Sequence, residues 1–221
     1  MKPCLLVLSM LATPVFAQQA ANFDPTARGP GTAVAQLVFA QGLHAHGLAQ
    51  NDALALLAAA EMAGAVDMAM VARLPETTGA ATAAQPDLRP GPVSAAQMQA
   101  AAEAMAAGDD SLITLLDRAK TGNALVRAGG VSASAATLAA GQTHVWTLPL
   151  DGGTLAEIGV IGDGDGNLDA VLTDAGGQIL CRESGVSDRI ACDLVPAETG
   201  YFTLTVQNHG PGVETYLLLS N

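Results

Sequence analysis

The sequence predicts an α+β protein, with an alanine-rich helical region followed by an antiparallel β-sandwich, and three observations carry that expectation. Residues 31–140 hold 34 alanines, whereas residues 141–221 hold only 5. Apolar residues recur every three or four positions in the first part and every second position from about Asn123 onward. Glycine-rich turn signals then separate several short apolar runs at regular spacing, the pattern of an all-β sandwich. The 221 residues suffice for one or two modest domains with real cores.

Residues 1–17 read as a secretory signal peptide. Lys2 is the basic region, Leu5 to Leu11 the apolar run, and Val15 and Ala17 the small residues before a cleavage site. Pro14 would break a core helix here, and Cys4 precedes the apolar run instead of closing it, unlike a lipoprotein signal. No later stretch offers about 18 uninterrupted apolar residues, so no transmembrane segment is expected after cleavage. The expected location is the periplasm or the outside of the cell.

The helical region spans 18–122. Val34, Leu37, Val38, Ala45 and Leu48 form one stripe; Ala53, Leu56, Leu57 and Ala60 form a second, after an N-cap at Asn51 or Asp52. Ser94-Ala-Ala-Gln97 has capping-box form and opens a helix carrying Met98, Ala101, Ala102 and Met105. Asp109 or Asp110 caps a fourth, with Leu112, Leu115, Leu116 and Ala119 inward. Between the second and third helices, Pro75, Pro86, Pro90 and Pro92 mark a loop near 73–93. Buried alanines release little apolar area, so this region is expected to lean on the rest.

The β region spans 123–221. Strand patterns run through Val145–Leu148, Ala156–Val160, Ala170–Thr173, Ile179–Leu180, Tyr201–Val206 and Tyr216–Leu219. Gly152-Gly153, Asp163-Gly164, Gly176-Gly177 and Gly210-Pro211-Gly212 supply turns. Cleavage leaves Cys181 and Cys192, which in an exported chain read as one disulfide. Their segments look like neighbouring strands joined by the polar loop Glu183–Asp188. Cys-x-x-Cys spacing is absent, so the bond reads as a structural staple.

The run from Val160 through Asp163-Gly-Asp-Gly-Asn-Leu-Asp169 to Leu180 resembles the bacterial pre-peptidase C-terminal (PPC) domain, with its Gly/Asp turn, Leu-Asp strand and Asp174-to-Gly177 turn. Glu198-Thr-Gly-Tyr-Phe-Thr-Leu-Thr-Val-Gln-Asn208 is similar to its late Gly-Tyr strand, and Tyr216 falls in its last strand. The resemblance covers about 130–221 and implies a jelly-roll-like β-sandwich that accompanies exported proteins and carries no catalytic residues. The family's usual peptidase domain is replaced here by alanine-rich helices, as in a group of exported bacterial proteins that the whole chain resembles.

Composition narrows the function. Nine Lys plus Arg against 21 Asp plus Glu give a net charge of −12, or −13 once Lys2 is cleaved away. Acidic balance and 3% aromatics argue against nucleic-acid binding, which needs basic tracks and stacking platforms. Residues 151–221 hold 11 acids and two bases, so most of the charge sits on the β region. A mean hydropathy of +0.33 reflects alanine and the leader, not membrane segments.

Asp163, Asp165, Asn167 and Asp169 alternate with small residues, and Asp174 follows. Oxygen donors at every second position suit Ca²⁺, although Leu168 and Asp174 stand where an EF-hand loop needs Gly and Glu; a solvated acidic hairpin is the alternative. His44 and His46 lie about 200° apart on a helix and cannot share a ligand, while His144 and His209 are isolated. No Gly-x-Ser-x-Gly elbow, phosphate-binding loop or His-Glu-x-x-His is present, so no enzyme is expected and no cofactor beyond calcium. Trp146, Tyr201, Phe202 and Tyr216 should mostly fill the sandwich core, leaving few rings for a glycan platform. The expected function is therefore an exported non-catalytic binding or accessory protein that acts on a protein partner, with 163–174 and the proline-rich loop as contact regions. A calcium-stabilised carbohydrate- or envelope-binding module is the alternative, and a secreted hydrolase the second alternative.

Overall fold

The computed structural model describes residues 20–27, 33–82, 92–122, 128–164 and 166–221, apart from the side chains of 119–122 and 128–129. The leader at 1–17, the proline-rich residues 83–91, Asp165 and the inward placement of Ala119 lie outside this set. Four helices run Ala33–Gln50 (α1), Ala53–Gly64 (α2), Ala95–Ala106 (α3) and Asp110–Gly122 (α4). Two early strands, Val66–Met70 (β1) and Glu76–Thr78 (β2), interrupt them. The rest are Ala128–Leu138 (β3), Thr143–Leu150 (β4), Ala156–Ile161 (β5), Leu168–Thr173 (β6), Ile179–Glu183 (β7), Arg189–Leu194 (β8), Gly200–Asn208 (β9) and Glu214–Ser220 (β10).

The strands form two five-stranded sheets, β1-β3-β10-β5-β8 and β2-β4-β9-β6-β7. All pairings are antiparallel except that of β1 with β3. Trp146, Ile158, Val160, Phe202, Leu204 and Leu218 fill the space between the sheets. The helices cover the other face of the first sheet, where Val34, Leu37 and Ala40 meet Val131, Ala133, Ile161 and Leu219. The result is the α+β sandwich that the sequence predicts, in three layers: helices, first sheet, second sheet.

Layering explains the strand alphabets. β5 is buried at every position because both faces are covered, whereas β9 alternates with one face open. Gly159 lets α1 lie directly on β5: a β-carbon there would sit 2.6 Å from Val34 Cγ1.

Helix starts follow the sequence. Asp52 accepts from the amides of Leu54 and Ala55, Ser94 and Gln97 form a reciprocal capping box, and Asp109 accepts from Ser111 and Leu112. The α1 stripe differs beyond its middle. Ala45 and Leu48 are exposed, and Ala40, His44 and Gly47 turn inward instead. Gly47 decides this, because a β-carbon there would fall 2.8 Å from Leu56 Cδ2; α2 packs against the small residue, not the most apolar one. In α4, Leu116 is buried but Leu115 is exposed.

Two further differences concern the sandwich. Part of the segment expected as a loop near 73–93 is strand: β2 pairs with β4, and the preceding β1 pairs with β3, so chain from the helical region edges both sheets. The disulfide joins Cys181 to Cys192 as expected. However, β7 and β8 are not neighbours in one sheet: they are edge strands of opposite sheets, and the bond staples the layers together.

Candidate functional site

In the first sheet β5 lies between β10 and β8, both antiparallel to it. The residues that follow β5 therefore meet the starts of both neighbours, and this brings Asp163, Glu214 and Asp188 together. One carboxylate oxygen from each lies within 4.8 Å of those of the other two. The backbone locks the arrangement. Gly162 N–H donates to the Asp188 carbonyl at 2.8 Å, Asp163 N–H to Glu214 Oε1 at 3.2 Å, and Thr215 N–H to Asp163 Oδ2 at 3.3 Å. Gly162 and Gly166 clear the space. A β-carbon on Gly162 would stand 2.8 Å from Asp188 Oδ2, and one on Gly166 would collide with the Glu214 carboxylate.

All three acids are buried, with exposures of 7% for Asp163, 3% for Asp188 and 1% for Glu214. Burial, reinforced by a hydrogen bond and charge from Asp163 and by the charge of Asp188, pushes the Glu214 carboxyl up to about 9. Asp188 Oδ1 lies 3.5 Å from an Arg189 guanidinium nitrogen, but Oδ2 has no hydrogen-bond partner. Asn167 Oδ1, one residue beyond Gly166, is likewise buried without a partner. A shared proton or a hard divalent cation would each relieve such a cluster.

Only part of the expected ligand set gathers here. Asp163 belongs to the cluster, Asn167 adjoins it, and Asp165 is outside the described residues. Asp169 instead faces outward on β6, 3.4 Å from His209 Nε2. Asp174 organises its own turn: despite the opposing effect of burial, the amides of Asn22, Gln178 and Gly176 hold its carboxyl below the ordinary range. The alternation expected to turn these side chains to one cation ends at Leu168, where β6 begins and Asp169 is committed to the outer face. Asp188 and Glu214 escaped the local pattern because they come from other strands. One signal for Glu214 existed: it shares the inward parity of Tyr216 and Leu218 in β10.

A second feature is the face of the second sheet that no described element covers. Thr143, Asp169, Arg182, Glu183, Thr205 and Gln207 line an open groove of about 450 Å³ across β4, β9, β6 and β7. Tyr201 projects from the same side of β9 and is 68% exposed, unlike Trp146, Phe202 and Tyr216, which are core. Beneath, Trp146 Nε1–H donates to Tyr216 Oη at 2.8 Å, and Tyr216 Oη lies 2.7 Å from His144 Nδ1. The indole can only donate, so Tyr216 Oη accepts from Trp146, and its own proton and second lone pair can serve His144 Nδ1 in either ring tautomer. Among the described residues neither His144 nor His209 is hydrogen-bonded to a serine hydroxyl.

No family profile and no curated protein matches the chain. Among solved structures, the chain is similar to the pre-peptidase C-terminal domain of a collagenase from Bacillus anthracis, at 18% identity and TM-score 0.34, over 39% of this chain and 86% of that one. A CBM4 structure is similar at 11% identity and TM-score 0.27, over 39% of this chain and 78% of that one. The C-terminal CBM6 of LamC, a marine laminarinase from Zobellia galactanivorans, is similar at 13% identity and TM-score 0.25, over 37% and 74%. These are distant likenesses of a β-sandwich that cover only part of the chain.

Proposed function

We propose that the chain is an exported, non-catalytic accessory protein that binds another protein through the open face of its second sheet. The observation that carries this is the groove over β4, β9, β6 and β7, which is lined by Arg182, Asp169 and Glu183 together with threonine and glutamine side chains. Side chains of both charge signs in the groove, with Tyr201 exposed further along the same face of β9, match the composition of protein interfaces, in which Tyr and Arg anchor binding. The acidic balance of residues 151–221 favours a partner with a basic face. Export rests on the leader pattern at 1–17.

The test is affinity capture from envelope and culture fluid with the wild-type chain and with Arg182→Glu and Tyr201→Ala. The expected result is one protein retained by the wild type and lost, or weakened at least tenfold, with each variant. Retention of glycan alone, or equal capture by all three baits, would overturn the proposal. A glycan reading draws on the same groove, since Thr143, Thr205 and Gln207 offer hydroxyl and amide groups for sugar hydroxyls; a glycan array separates the two.

A further inference from the structure

We propose that the Asp163, Asp188 and Glu214 carboxylates form a calcium site that fastens the chain just after β5, at Gly162 and Asp163, to the starts of β8 and β10. This stands independently of what the open face binds. Three buried carboxylates could be an accident of packing, but Asp188 Oδ2 makes that reading costly. It is an unpartnered oxygen on a side chain only 5% exposed, and it faces the Gly162 surface that Glu214 also touches. An orphaned buried carboxylate oxygen costs several kcal/mol unless something charged or hydrogen-bonding meets it.

Ligand chemistry favours calcium, because magnesium dehydrates reluctantly and is seldom held by an all-protein oxygen cage. Oxygens bound at about 2.3–2.6 Å lie up to about 5 Å apart across the ion, whereas magnesium at about 2.0–2.1 Å limits them to about 4 Å. One carboxylate oxygen from each residue lies within 4.8 Å of those of the other two, inside the calcium limit. Asn167 Oδ1, buried and unpartnered beside Gly166, is the neutral side-chain donor closest in sequence to Asp163. The two glycines complete the fit, because either β-carbon would displace the Glu214 carboxylate from the cluster. The chain leads on through Asn167 and Leu168 into Asp169, so the ion would also steady one end of the groove.

The test uses the purified full chain, stripped with a chelator and titrated with CaCl₂ by calorimetry and thermal melting. At a hundredfold excess over Kd, Tm should rise by about 5–10 °C, with one ion bound per chain. Asp188→Asn and Glu214→Gln should each weaken calcium binding at least tenfold, while Asp169→Asn leaves it unchanged. Absence of heat and of a Tm shift in the wild-type chain would overturn the proposal and leave the cluster as proton-sharing carboxyls. A shift that survives both Asp188→Asn and Glu214→Gln would place the ion elsewhere and overturn it as well. An equal response to magnesium would overturn the assignment to calcium. Should one variant fail to fold, the wild-type titration and the other variant still decide.

Discussion

The two sheets share a core and differ in what covers their other faces. The first carries α1 on its outside, so β5 is buried at every position and Gly159 is needed where Val34 presses down. Among the described residues no element covers the outside of the second, and β9 alternates, with an outward row of Tyr201, Thr203, Thr205 and Gln207. Polar chemistry is therefore displaced to different places. On the doubly covered sheet it is pushed to the strand ends, where Asp163, Asp188 and Glu214 collect out of water. On the bare sheet it spreads across the face as an open groove. A sheet buried on both sides builds sites at its rim, and a sheet buried on one side can build them on its surface.

The sharpest way to break this comparison is to truncate matching outward positions on the two sheets. Leu219→Ala, beneath the helices and fully buried, should cost about 2–5 kcal/mol by chemical denaturation. Thr203→Ala on the bare face should stay within about 0.5 kcal/mol. Equal losses would mean that the second sheet is covered in solution.

Next in size is the staple between the sheets. Cys181 and Cys192 are separated by 11 residues, and the chain-entropy model assigns such a loop about 3 kcal/mol. A double serine variant should lose about that much in urea melts, with a matching fall in wild-type stability under reductant. A loss under about 1 kcal/mol would show that core packing alone holds the edges together.

Smaller again is the Tyr216 hydroxyl, which satisfies Trp146 and His144 at once. Tyr216→Phe leaves two buried polar groups unmet and should cost about 1–3 kcal/mol. The same measurement checks the hydrogen-bond chain, since an unchanged midpoint would mean that water replaces the hydroxyl.

The contrast between the sheets also governs what could be read from sequence. β4, β6 and β9 were legible because one face of each meets solvent and imposes period two. β3, Ala-Gly-Gly-Val-Ser-Ala-Ser-Ala-Ala-Thr-Leu, carries little contrast between its faces and was not assigned as a strand. β1 and β2 are short and mostly exposed, and only pairing with β3 and β4 makes them strands. In α1 the inward face is set by which residues are small, which hydrophobicity does not report. The carboxylate cluster was legible at Asp163 alone, because Glu214 joins it across a separation of 51 residues. The glycines at 162 and 166 read as turn formers, whereas they also make room for the Glu214 carboxylate.

The smallest effect compares the two buried histidines, His44 in the helical layer and His144 in the second sheet. Burial lowers both below the ordinary imidazole value. A depressed folded value means that the native state favours the neutral ring. Its contribution is fully present above the unfolded pKa of about 6.5 and is lost as pH falls through the folded value. Glu214 works in the opposite direction: its raised value favours the protonated native state as pH falls from about 9. The diagnostic is therefore the difference between wild-type and variant melting curves from pH 7.5 to 5, not the wild-type curve alone. His44→Leu and His144→Gln should each flatten the acid-side loss. The change at His144 should be the larger, because its ring is tied into the buried hydrogen bonds of Tyr216 Oη, whereas His44 Nδ1 has no partner to lose. Curves parallel to the wild type would show that neither imidazole titrates with unfolding.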